Sequence, residues 1–108
     1  MPKKITQHQG IFYQLYKIRG EDPEKYTPIW QLIGEVEVPE LRQWVFISYE
    51  VSARMSELKK ANPNLFEHVE VTGKTGAVYF AYRIARNVTV DMIQDPRLLD
   101  FYKLIKQK

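Results

Sequence analysis

Residues 48–63 read Ser48-Tyr49-Glu50-Val51-Ser52-Ala53-Arg54-Met55-Ser56-Glu57-Leu58-Lys59-Lys60-Ala61-Asn62-Pro63, and this stretch decides the fold. Val51, Met55 and Leu58 recur at i, i+4 and i+7, which is one face of an α-helix. Ser48 suits a helix cap. Pro63 ends the pattern, because the residue before a proline is pushed out of the helical region. Downstream, Leu65-Phe66-Glu67-His68-Val69-Glu70-Val71 reads as a strand with Phe66, His68 and Glu70 on one face. Thr72-Gly73-Lys74-Thr75-Gly76 reads as a tight turn, and 77–84 as the returning strand of a β-hairpin.

Upstream the signals are mixed. Thr27-Pro28 suits a helix start, with threonine as cap and proline in the first turn. Ile29, Leu32, Ile33 and Val36 then follow helical spacing, with Gly34 as the stop. Glu35-Val36-Glu37-Val38 alternates with period two and predicts a short strand. Pro39-Glu40-Leu41-Arg42-Gln43-Trp44-Val45 predicts a further helix with Leu41, Trp44 and Val45 on one side. Residues 11–19 fit both a helical face (Ile11, Leu15, Ile18) and an aromatic, β-branched strand; helix is preferred. Gly20-Glu21-Asp22-Pro23 is a break. At the other end Pro96 opens an amphipathic helix over 97–106, with Leu98, Phe101, Tyr102 and Ile105 along one face.

Composition bounds the function classes. The 108 residues amount to one domain, 1–108, and 44% hydrophobic with 27% charged residues excludes wholesale disorder. The absence of cysteine excludes a disulfide framework, a thiolate zinc site and a cysteine nucleophile. No apolar run reaches the roughly 18 residues of a membrane span. The basic start Met1-Pro2-Lys3-Lys4 is not followed by a signal-peptide core. A cytoplasmic protein without a membrane partner is therefore expected.

The net charge of +3 is a cancellation. Residues 1–19 hold Lys3, Lys4, Lys17 and Arg19 and no acid. Residues 20–41 hold Lys25 against Glu21, Asp22, Glu24, Glu35, Glu37 and Glu40. Residues 42–86 are again basic, with Arg42, Arg54, Lys59, Lys60, Lys74, Arg83 and Arg86 against Glu50, Glu57, Glu67 and Glu70. The pattern predicts a molecule with two electrostatic faces.

The order helix, short strand, helix, turn, helix, hairpin resembles a winged helix-turn-helix domain. Glu40-Leu41-Arg42-Gln43-Trp44-Val45-Phe46-Ile47-Ser48 and Val51 through Leu58 carry the resemblance, with the Gly-Lys-Thr-Gly hairpin tip as the wing. It covers 24–86 as the core, with 1–23 and 87–108 as N- and C-terminal helical extensions. Phe46 stands where many members have glycine, and Tyr49-Glu50 is one residue shorter than the usual turn. A second register makes 8–19 the first helix of the motif and 28–34 the second. The resemblance implies an α+β fold with a three-helix core plus a β-hairpin wing.

It also implies binding to double-stranded DNA, as a small transcriptional regulator or a replication or mobile-element accessory factor, without catalysis and without a cofactor. A major groove about 12 Å wide admits one helix. With Val51 pointing to the core, Tyr49, Ala53, Ser56 and Lys60 point away from it, and Glu57 lies beside them. Ser52 and Lys59 flank one side and Arg54 the other. Arg54, Lys59 and Lys60 are expected on phosphates, Lys74 on the backbone or an adjacent minor groove, and Arg42 and Gln43 on the backbone. The C-terminal stripe motivates a homodimer that pairs half-sites.

Other readings have less behind them. Gly73-Lys74-Thr75 matches the end of a phosphate-binding loop, but His68 stands where the first glycine belongs and a strand follows. His8 and His68 have no ligand spacing. Tyr79, Phe80 and Tyr82 read as strand packing rather than a platform for single strands. The alternative to DNA binding is a winged helix used as a protein-interaction or assembly module, motivated by the acidic 20–41 segment.

Overall fold

The computed structural model describes residues 4–85 and 88–106. Helix α1 spans Gln7–Glu21, and Thr6 starts it. The Thr6 Oγ1 accepts from the Gln9 amide at 3.2 Å, while Gln9 Oε1 accepts from the Thr6 amide at 2.8 Å. Two amides that the first turn leaves free are thus satisfied reciprocally. The ambiguous 11–19 stretch is therefore helical. Its β-branched and aromatic residues are explained by burial: Ile11, Phe12 and Leu15 are at most 1% exposed. Tertiary packing overrides local propensity here.

Two expected helices give way to strands. Thr27–Pro28 is the short strand β1, followed by a single 3-10 turn at Ile29–Leu32. Thr27 does not cap a helix. It is buried opposite Tyr82, and its hydroxyl oxygen has no hydrogen-bond partner among the described residues. Gly34, at φ 124°, then turns the chain into β2, Gly34–Val38. This is a conformation that costs glycine little.

The predicted helix over 39–45 is a 3-10 turn at Pro39–Leu41, a left-handed Arg42 at φ 53°, and strand β3, Gln43–Ile47. Trp44-Val45-Phe46-Ile47 are strand formers, and burial alternates along them. Trp44 is 65% exposed rather than sharing a buried face with Val45. Strands β2 and β3 form an antiparallel hairpin from Gly34↔Ile47 to Val38↔Gln43. A helix-turn-helix with its second helix at 39–45 is thus replaced by a strand pair.

The rest follows the pattern. Helix α2, Val51–Ala61, buries Val51, Met55 and Leu58. Ser48 does not cap it through the first turn of the helix; its hydroxyl accepts from the Glu50 amide at 3.2 Å. Strands β4, Phe66–Thr72, and β5, Val78–Ile84, form the expected hairpin, and β1 adds to β5 in the order β1-β5-β4. Gly76, at φ 84°, and the Gly73 amide donating to Ala77 O at 2.7 Å close its turn. Helix α3, Pro96–Lys106, completes an α+β fold of three helices and antiparallel sheets.

Helix α1 lies at the centre. It touches β2, β3, β5, α2 and α3. The chain approaches so closely at Gly10 that a Cβ there would lie 2.5 Å from Val45 Cγ1 and 3.0 Å from Ile47 Cδ1. Phe12 meets Phe101 and Tyr102 edge to face at 6.3 and 6.1 Å, and Tyr13 and Tyr16 do the same with Phe101 and Tyr102. The stripe Leu98, Phe101, Tyr102 and Ile105 is thereby buried within the protomer, which removes the apolar face that motivated dimerisation through this helix. One buried cluster joins both terminal helices to the 24–84 segment. The expected boundary at Arg86 and Asn87, and the terminal Lys3 and Lys108, lie outside the described residues.

Asn62 ties α2 to α3. It is fully buried, its Nδ2 donates to Leu58 O, and its Oδ1 accepts the amides of Gln94 and Asp95 at 2.8 and 3.1 Å. Asp95 Oδ1 in turn accepts the Arg97 amide at 3.0 Å in the first turn of α3.

Candidate nucleic-acid interface

Helix α2 presents Ser52, Ala53, Ser56 and Lys60 to solvent, as its periodicity predicts. Tyr49, in the turn before it, is 86% exposed. These side chains are small, polar or cationic, and among the described residues no element packs over them. The hairpin β4–β5 follows α2 directly, with Lys74 exposed in its turn.

Two of the expected contacts are committed elsewhere, and a third is displaced. The Arg54 guanidinium is held by Glu57 at 2.7 Å and by Glu50 at 3.3 Å, so its charge is spent on α2 and the residue that precedes it. Glu57 also accepts from His8 at 2.9 Å. The His8 hydrogen bond and the Arg54 charge hold the Glu57 carboxyl below the usual carboxylate range. Gln43 Oε1 accepts the Ile5 amide at 2.9 Å and pins the segment before α1. Arg42 is exposed, but it sits at the turn of the β2–β3 hairpin rather than beside α2.

Lys59 has a structural setting of its own. Its Nζ donates to His68 Nδ1 and lies 5.5 Å from the centroid of the Tyr82 ring. Phe80, His68 and Tyr82 pack against one another on this face of the hairpin. Register places His68 opposite Tyr82 and Glu70 opposite Phe80, so all four share one side of the sheet. Tyr82 is buried, and burial pushes its phenol up. Phe80 remains 41% exposed. Phe80 and His68 thus stand beside the last turn of α2, a juxtaposition that local reading missed. Cross-strand register was the signal for it, since the alternation of both strands was already legible.

The opposite face of the sheet is tied by Arg83. Its guanidinium bonds Glu67 at 2.8 Å and Glu24 at 3.3 Å, and stacks 4.2 Å from the Tyr26 ring. Much of the acidic 20–41 segment is thereby placed. Glu24 is on this far face, and Glu40 bonds Tyr13 and Lys17 behind α1. Glu35 and Glu37 alternate with the buried Val36 and Val38 on β2, so they point away from α1.

Among the described residues no three His, Asp or Glu side chains gather as a metal site, and no helix is long and apolar enough to cross a membrane. Compared with family models, with curated proteins and with solved structures, the chain matches none.

Proposed function

We propose that this chain binds double-stranded DNA sequence-specifically, as a winged helix-turn-helix protein whose second helix is reduced to the 3-10 turn and the β2–β3 hairpin. In this reading α1 is the first helix, as in the register that begins the motif at residue 8. The observation that carries it is the uncovered outer face of α2, followed at once by a hairpin with a lysine at its tip. Ser52, Ala53 and Ser56 let the backbone of α2 approach base edges, and Tyr49 and Lys60 border them. Lys60 and Lys74 reach phosphates and set position. A role as a small transcriptional regulator or accessory factor of replication or a mobile element fits a domain of this size.

The electrostatics make the expected affinity modest. Arg54 arrives already neutralised, and Lys59 must leave His68 to reach a phosphate. Lys60 and Lys74 remain, with Lys59 a third if it leaves His68, so log K should fall with log salt at a slope of about −2 to −3, near −0.9 per contact. Fluorescence anisotropy with mixed-sequence duplexes between low and moderate salt measures this. Absence of binding at low salt overturns the proposal.

A further inference from the structure

The β2–β3 hairpin has two faces with different chemistry. Val36, Val38, Val45 and Ile47 turn inward toward α1. The outer face carries Glu35 opposite Phe46 and Glu37 opposite Trp44. Trp44 is 65% and Phe46 52% exposed. Two adjacent large aromatics left in water form a patch of the kind that marks an interaction surface. Their cross-strand neighbours are carboxylates. Among the described residues, Glu40, Glu50, Glu57 and Glu67 all have ion-pair partners, and Glu35 and Glu37 have none. Arg42, at the end of the same hairpin, pairs with neither.

We propose that this face docks an extended, arginine-bearing segment of a partner protein. A guanidinium stacks on an indole or phenyl face and at the same time donates two parallel hydrogen bonds to a carboxylate. Trp44 with Glu37, and Phe46 with Glu35, supply that pair of features twice. The two sites are two residues apart along each strand, about 7 Å, which matches alternate side chains of an extended chain. Lysine meets the charge but not the stacked, bidentate geometry. Phosphate is excluded by the carboxylates, so nucleic acid is not the occupant. The hairpin is a sheet of two strands, so each strand pairs on one side only, and an added strand can take main-chain hydrogen bonds as well. The proposal uses none of the residues assigned to DNA and stands whether or not α2 enters a groove.

The test is a titration with an eight-residue capped peptide of alternating arginine and threonine, using the full chain carrying Trp30→Phe. The chain has two tryptophans, so Trp44 then reports alone. Binding should perturb its emission; affinity, read for every variant by the anisotropy of a fluorescein-labelled peptide, should weaken at least tenfold in Glu35→Gln/Glu37→Gln and in Trp44→Ala, and at least threefold for the lysine counterpart. These side chains are exposed, and circular dichroism checks that each variant is folded. Duplex binding by Glu35→Gln/Glu37→Gln should be unchanged or stronger, which separates this surface from the DNA face. Three results overturn the proposal. One is peptide binding indifferent to all three substitutions. Another is no binding at millimolar peptide. The third is self-association in sedimentation that Trp44→Ala abolishes, which assigns the face to a second copy.

Discussion

The ammonium of Lys59 is hydrogen-bonded to the imidazole of His68, joining the last turn of α2 to β4. The adjacent Lys60 is exposed and makes no such contact. Two neighbouring lysines of equal formal charge therefore have different work. Lys60→Ala should weaken duplex binding uniformly across sequences, about 3- to 10-fold at low salt, and reduce the salt slope by about 1. Lys59→Ala should weaken it less. Equal losses would mean that the His68 contact opens on DNA.

Arg54 is held by two carboxylates, Glu50 just before α2 and Glu57 within it. Exposed pairs of this kind are screened by solvent and contribute little to stability. Arg54→Ala should leave duplex affinity within about twofold. Glu50→Gln/Glu57→Gln should raise it, since it releases a cation and removes two anions. Anisotropy on the two variants side by side checks the sign.

At Gly10 two effects compete. Alanine in a helix interior is favoured over glycine by about 0.5–1 kcal/mol. The new Cβ, however, would meet Val45 Cγ1 at 2.5 Å, on a β-branched side chain with little rotamer freedom. Overpacking costs typically 1–3 kcal/mol, so it wins. Gly10→Ala should lower stability by about 1–2 kcal/mol in urea unfolding. Gly20→Ala, which meets nothing within 4 Å, should not destabilise.

Asn62 accepts two backbone amides through one oxygen. Asn62→Ala removes that acceptor and leaves the Gln94 and Asp95 amides unpaired. At about 1–3 kcal/mol per unsatisfied buried group, tempered by their partial exposure, the loss should be about 2–3 kcal/mol. Amide exchange at 94 and 95 should accelerate beyond the change in global stability.

Tyr13 donates to Glu40 Oε1 at 2.7 Å. Burial, and then the Glu40 hydrogen bond and charge, push the phenol well above its ordinary value. A raised pKa means the folded state prefers the neutral phenol. The contact is fully present below the unfolded value near 10, and stability falls as pH rises above it. Tyr13→Phe should cost about 1 kcal/mol at pH 7 and show a shallower loss of Tm between pH 9 and 11.5. The buried Tyr82, shifted in the same direction, accounts for slope that remains.

Helix α2, the β4–β5 hairpin and α3 were legible because one period holds throughout each. The 28–47 segment was not. Ile29, Leu32, Ile33 and Val36 satisfy helical spacing by coincidence, and the chain instead breaks at Gly34, where φ is positive. The run Trp44-Val45-Phe46-Ile47 alternates as clearly as Glu35-Val36-Glu37-Val38, and pairing the two would have found the hairpin. For the site, which α2 side chains face out followed from the wheel. What they are bonded to did not, because His68 and His8 reach them only through the tertiary fold.

The edge-to-face contact of Phe12 with Phe101 joins rings near opposite ends of the chain. Phe12 and Tyr16 both meet Tyr102 edge to face, so part of their cover comes only with α3. Packing α3 on α1 closes a loop of most of the chain, so the folding rate should sit nearer that of β-rich domains than of helical bundles of equal length.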